Sequence, residues 1–152
     1  MPATMFNVVL VEPEIPPNTG NIGRLCLATR STVHLVKPLG FSLDNRELRR
    51  AGLDYWEEVR LQLWDSFDAL RDAQPSDARY FFLTTKGKRP YYEVRFQEGD
   101  FLVFGRETKG LPEELLAANF GDCITIPMHG TRSLNLATAV AIVLFEAVRQ
   151  HR

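Results

Sequence analysis

Apolar positions in this chain form two kinds of run, short unbroken ones and longer periodic ones, and the two alternate. Phe6 to Val11 (FNVVLV) is apolar without a polar face, the pattern of a strand buried on both sides. Thr32 to Val36, Arg79 to Thr85, Phe101 to Gly105 and Ile124 to Ile126 repeat it, so five strands are predicted. Between the first two, Ile22, Leu25, Cys26 and Thr29 fall at i, i+3, i+4 and i+7, which predicts a helix with Asn18 as its N-cap. Gly20, Asn21 and Arg24 then face its other side. Asn45 to Ala51 reads as a short helix stopped by Gly52, Ser66 to Ala73 as one capped by Ser66, and Leu111 to Leu116 as a helix opening with proline and acids. Leu53 to Leu63 has no clear period.

The last quarter, Asp122 to Arg149, organises the rest. A strand stops at Pro127, a polar loop follows, and an apolar helix of about four turns closes the chain. From Leu134 to Phe145 that helix has almost no polar face, so both its sides need cover, one from the sheet and one from elsewhere, such as a second subunit. Strand and helix alternation through the chain predicts an α/β fold, a mostly parallel sheet with helices on both faces, in a single domain spanning 1–152.

Composition adds bounds rather than direction. Hydrophobic content of 45% with 24% charged residues suits a globular domain. The longest apolar run falls short of the roughly 18 residues of a membrane span, and no charged-then-apolar leader opens the chain, so a cytoplasmic protein without membrane contact is expected. Cys26 and Cys123 lie in apolar surroundings and read as reduced core residues. His34, His129 and His151 are too scattered for a metal cluster. Formal net charge is −1, which excludes a generally basic nucleic-acid binder but not a basic patch. Arg46, Arg49 and Arg50 form one candidate patch; Lys86, Lys88 and Arg89 form another. Either is open to the plainer reading of solvated surface charge.

Ligands of open parallel sheets sit beyond the carboxyl ends of the strands. Three such ends carry loops rich in glycine or proline: 83–87, 105–112 and 126–135. Their exposed backbone suits an adenine or ribose edge. The segment PPNTGNIGR adds Asn18, Asn21 and Arg24 beside a helix start, which is either an anion-holding site or a cap with an exposed arginine. No phosphate loop, dinucleotide fingerprint, nucleophile elbow or CxxC is present, so a group transfer that positions two substrates remains.

The blocks EPEIPPNTGNIGRLC, LRRAGLDYW, FLTTKG, FGRETKGLP and IPM…RSLNL…AIVLFEA, in order from Phe6 to Gln150, resemble the SPOUT superfamily of RNA methyltransferases. The chain is most similar to those that methylate the ribose 2′-hydroxyl of the wobble nucleotide in leucine tRNAs. The resemblance implies a deep C-terminal trefoil knot, a homodimer, and S-adenosylmethionine held by Leu83, Gly105, Ile126, Ser133 and Leu134, without a metal. It implies that Arg24 stands near the transferred methyl group, with Asn18 and Asn135 supporting it and Glu107 a weaker candidate that could instead balance Arg106 or Lys109. A guanidinium, with a pKa above about 12, is a poor base, so Arg24 is expected to orient the hydroxyl and stabilise a developing oxyanion. With tRNA as partner, Arg46, Arg49, Arg50 and Lys86 become phosphate contacts, and Tyr55 and Trp56 either stack on bases or fill core. Phe145 stands where relatives often carry tyrosine, and Ala137-Thr138 replaces a more polar pair.

Overall fold

The computed structural model describes residues 3–130 and 133–151, with the side chains of 52–55 outside that description. The elements, in order, are β1 (Asn7–Val11), α1 (Pro16–Ala28), β2 (Thr32–Val36), α2 (Arg46–Gly52), β3 (Leu61–Trp64), α3 (Phe67–Asp72), β4 (Tyr80–Leu83), β5 (Arg89–Pro90), β6 (Phe101–Phe104), α4 (Glu113–Ala118), β7 (Cys123–Thr125) and α5 (Leu136–Gln150). The strands form one seven-stranded sheet in the order β3-β2-β1-β6-β4-β7-β5. Every pairing is parallel. The carboxyl ends of β1, β4, β6 and β7 therefore open onto one edge, where the glycine-rich loops gather.

Two strands were missed by pattern alone, and both lie at the margins of the sheet. Leu61–Trp64 is only half buried and is preceded by a 3₁₀ turn at Leu53–Glu58, which is why the stretch had no period. Arg89–Pro90 is two residues long and ends in proline, which an edge tolerates. The central strands are legible because alternate residues feed different cores. Val8 and Leu10 pack with Ile22, Cys26, Val140 and Leu144 under α1 and α5, while Val9 and Val11 pack with Phe67, Leu70, Phe82 and Val103 under α3. Cys26 and Cys123 are free and buried.

Within this one chain the terminal helix is covered on one side, and the side expected to need cover from elsewhere is open. Leu136, Val140, Val143, Leu144 and Ala147 are buried, whereas Thr138, Phe145 and Arg149 face outward, with Phe145 43% exposed. Its apolar composition thus leaves an open stripe beside α1, against which it packs. Gly20, expected on the outer side of α1, is buried, while Asn21 and Arg24 are exposed.

Beneath β2 lies a satisfied polar cluster. The Trp64 indole N–H donates to His34 Nδ1 at 3.0 Å. The imidazole proton must then sit on Nε2, which donates to the Asn7 amide oxygen at 2.8 Å, and the Asn7 amide N–H donates to the Gly99 carbonyl at 2.9 Å. Burial lowers the His34 pKa from 6.5 to about 4, and a second ring proton would meet the indole N–H head on.

Between those two values the unfolded chain binds a proton that the folded chain does not, so stability present above pH 6.5 falls as pH drops through this window. Denaturant midpoints at pH 7 and pH 5 for wild type and His34→Gln measure the effect. The wild type is expected to lose about 2 kcal/mol more than the variant on this acidification.

Candidate functional site

The loop leaving β6 is shaped by two glycines. A Cβ on Gly105 would lie 2.1 Å from both the Gly110 carbonyl carbon and the Leu111 nitrogen, so no other residue fits unless the loop moves. Gly110 takes a left-handed φ of 69°, and it and Arg106 exchange backbone hydrogen bonds of 2.8 and 3.2 Å. This pinches off a tip of Glu107, Thr108 and Lys109.

Glu107 reaches from that tip to the chain entering α1. Its carboxylate accepts hydrogen bonds from the backbone N–H groups of Glu14 at 2.8 Å and Ile15 at 3.0 Å, and from the Asn18 amide at 3.3 Å. In return the Glu14 carboxylate accepts the Thr108 N–H at 3.1 Å and hydroxyl at 2.8 Å. Those bonds hold Glu14 below the usual carboxylate range. The helix α1 begins with two prolines and has no side-chain cap of its own, so Glu107 supplies negative charge at its N-terminus from a distant part of the chain.

Asn18 is therefore not the N-cap expected of it: Ile15 holds that position and Asn18 lies in the first turn, buried. Its amide bridges instead, donating to Glu107 and accepting the Asn135 amide N–H at 3.0 Å. The Asn135 oxygen accepts the Thr138 N–H at 3.2 Å and so caps α5. Despite the Ala137-Thr138 departure, this cap is made. One line of hydrogen bonds thus ties the loops after β1, β6 and β7 together. Glu107 does not balance Arg106 or Lys109; Arg106 instead lies 4.0 Å from Glu12. Asn135 and Glu107 were legible as candidates, but their joining through Asn18 crosses 117 and 89 residues and left no local signal.

Behind this clasp lies a cleft of about 440 Å³. Leu83, Gly105, Ile126, Ser133 and Leu134, the five residues expected to hold a cofactor, all line it, together with Glu107 and Lys86. Its walls combine aliphatic side chains with loop backbone and the hydroxyls of Thr84, Thr85, Thr108 and Thr125, which suits a molecule with a flat apolar ring and polar edges. Arg24 does not line it. That side chain is exposed and makes no hydrogen bond or ion pair among the described residues. It lies six residues beyond Asn18, roughly 9 Å further along α1.

The expected phosphate contacts are spread over two regions. Arg46, Arg49 and Arg50 are exposed on α2, but Arg49 is already engaged by Glu57 at 2.6 Å and Asp44 at 3.8 Å. Lys86 pairs with Glu113 at 3.3 Å, both exposed. Trp56 packs on Gly23, where an added Cβ would sit 2.8 Å from its ring, so it fills the α1 packing rather than presenting a stacking face. The Tyr55 side chain lies outside the described residues. Among those described, no three His, Cys, Asp or Glu side chains group as a metal site needs, and no helix is long and apolar enough to cross a membrane.

Comparison with known proteins gives this geometry a context. The profile of the SpoU rRNA Methylase family matches residues 5–145. A tRNA (cytidine(34)-2′-O)-methyltransferase of Methylovorus glucosotrophus is 50% identical, covering 97% of this chain and 96% of its own. A solved structure concerned with the 2-OH methylation of C/U34 on tRNA superimposes with a TM-score of 0.93 at 50% identity, covering 97% of each chain. An AdoMet-bound rRNA methyltransferase from Sinorhizobium meliloti is 28% identical with a TM-score of 0.84, covering 95% of this chain and 56% of that longer one.

The Gly105 contact is directly testable. Gly105→Ala should destabilise the fold by about 1–3 kcal/mol through overpacking, whereas Gly121→Ala, where an added Cβ meets nothing within 4 Å, should leave it unchanged. Denaturant unfolding of the two variants measures the difference.

Proposed function

Because the chain belongs to the SpoU methylase family, we propose that it transfers a methyl group from S-adenosylmethionine to the ribose 2′-hydroxyl of nucleotide 34, the wobble cytidine or modified uridine of leucine tRNAs, in the cytoplasm. The observation that carries this reading is 50% identity, over nearly the whole of both chains, to an enzyme named as a tRNA (cytidine(34)-2′-O)-methyltransferase. The wider family name points to rRNA, and the 28% identical rRNA enzyme supports a second reading in which another tRNA or rRNA site is the target. Near-complete mutual coverage with the tRNA enzymes favours the first.

The cleft suits the cofactor. Leu83, Ile126 and Leu134 offer aliphatic walls for adenine, and the backbone around Gly105 and Ser133 offers polar groups to its edges. Leu83, Gly105, Ile126, Ser133 and Leu134 would hold S-adenosylmethionine, whose sulfonium would supply the methyl group as its carbon–sulfur bond breaks, with S-adenosylhomocysteine as leaving group and an RNA phosphate taking the hydroxyl proton. Arg24 orients the ribose hydroxyl and stabilises the negative charge that develops on its oxygen. Asn18 and Asn135 fix the helix starts that aim these groups, through the hydrogen bonds of the clasp. Arg46, Arg50 and Lys86 meet RNA phosphates, with Arg49 exchanging its exposed carboxylate partners for one.

A homodimer accounts for two features at once. Phe145 and Ala28 lie beside each other on an otherwise uncovered α1 and α5 face, and Arg24 stands on that side of α1, outside its own cleft. A second copy packed there covers the apolar stripe and brings Arg24 towards a cleft of the partner. The trefoil knot belongs to the same proposal: β7 is inserted between β4 and β5, and the helix that follows it returns to pack on α1.

Three measurements follow. Incubation with bulk tRNA and labelled S-adenosylmethionine, then digestion and positional nucleoside analysis, should place label in 2′-O-methylated nucleotide 34; label elsewhere overturns the target. Arg24→Ala should retain cofactor binding and lose at least about 10²-fold in transfer rate, as when an oxyanion-stabilising group is removed. Phe145→Glu should shift the protein from dimer to monomer in sedimentation.

A further inference from the structure

Beside the cleft lies a second depression of about 430 Å³ that the reading above leaves unused. The two adjoin, sharing Thr84, Lys86, Glu113 and Leu116 in their walls. Leu116, Ala117 and Cys123 contribute to its largely apolar lining. Phe120 stands among them with 70% of its surface exposed, the most of any large apolar side chain among the described residues.

Lys86, Lys88 and Arg89 line the same depression. Their placement depends on Gly87, where a Cβ would lie 2.9 Å from the Ile124 carbonyl carbon. Only a glycine lets this segment run so close to β7, against which Arg89 and Pro90 then pair. Lys86 is answered by Glu113. The side chains of Lys88 and Arg89 are exposed and make no ion pair or hydrogen bond among the described residues.

An exposed aromatic ring, apolar walls and two unanswered cations are the combination that an unpaired stretch of RNA requires. Bases stack on the ring, and phosphates meet the cations. An apolar protein segment would use the walls but leave both charges unmatched. We propose that this depression holds a nucleotide neighbouring the methylated one, its base against Phe120 and its phosphate against Lys88 and Arg89. The assignment rests on the RNA-methylating reading of the adjoining cleft, and it gives the chain a second RNA contact, separate from the arginines of α2.

The test compares wild type with Phe120→Ala, Phe120→Trp and the double variant Lys88→Ala/Arg89→Ala. Affinity for unmodified tRNA is measured across a salt series, and S-adenosylmethionine affinity by calorimetry. Phe120→Ala should weaken tRNA binding about tenfold, the effect of losing one stacked base, while Phe120→Trp retains it. The double variant should lower the slope of log affinity against log salt by about 1.4, the equivalent of two phosphate contacts on a single strand. All variants should bind the cofactor as the wild type does. If the wild type methylates tRNA and every variant matches its affinity and salt slope, the docking assignment is overturned and the cleft reading stands. A wild type that neither binds nor methylates RNA overturns the cleft reading, and this surface with it.

Discussion

The carboxylate of Glu107 holds together parts of the chain that would otherwise meet only as neighbouring loops. It accepts two backbone N–H groups at the entrance to α1 and the Asn18 amide, and Asn18 passes the connection to Asn135 at the start of α5. The two helix starts are thereby linked: α1, with two prolines and no side-chain cap, gains the Glu107 carboxylate, while α5 is capped by its own Asn135, which also bonds Asn18. Unsatisfied N–H groups at a helix end carry partial positive charge, so a carboxylate there is favoured by the helix dipole as well as by its hydrogen bonds. The cleft depends on this arrangement because its walls are the loops that the clasp fixes.

Legibility in the sequence followed how local each signal is. Unbroken apolar runs such as Phe6 to Val11 mark strands buried on both faces, because Val8 and Leu10 enter one core while Val9 and Val11 enter the other. Leu61–Trp64 and Arg89–Pro90 gave no such signal, since strands at or near a sheet margin need less apolar surface. Asn18 had the composition of a cap, but the prolines at 16 and 17 start the helix earlier and free its amide to bridge. The five cleft residues are legible only through family resemblance, because it is the parallel sheet that brings their loops to one edge. The partners of Glu107 lie 89 to 93 residues away in sequence, beyond any periodicity.

Charge is arranged in the same selective way. With a net charge of −1 the chain has no general attraction for nucleic acid, and several of its cations are already paired, Arg49 with Glu57 and Lys86 with Glu113 among them. Exposed pairs of this kind contribute little to stability and exchange readily for phosphate. Among the cations whose side chains have no partner in the described residues are Arg46 and Arg50 on α2, Arg24 on the outer face of α1, and Lys88 and Arg89 along the margin formed by β5.

The dependence of the site on the clasp is tested most directly by a double-mutant cycle on Glu107→Gln and Asn135→Ala, read as S-adenosylmethionine affinity. If the line of hydrogen bonds acts as a unit, each single change weakens binding and the pair costs little more than the larger of the two, a coupling of at least about 1 kcal/mol. Strictly additive losses, or single variants that bind the cofactor as tightly as the wild type, would contradict it.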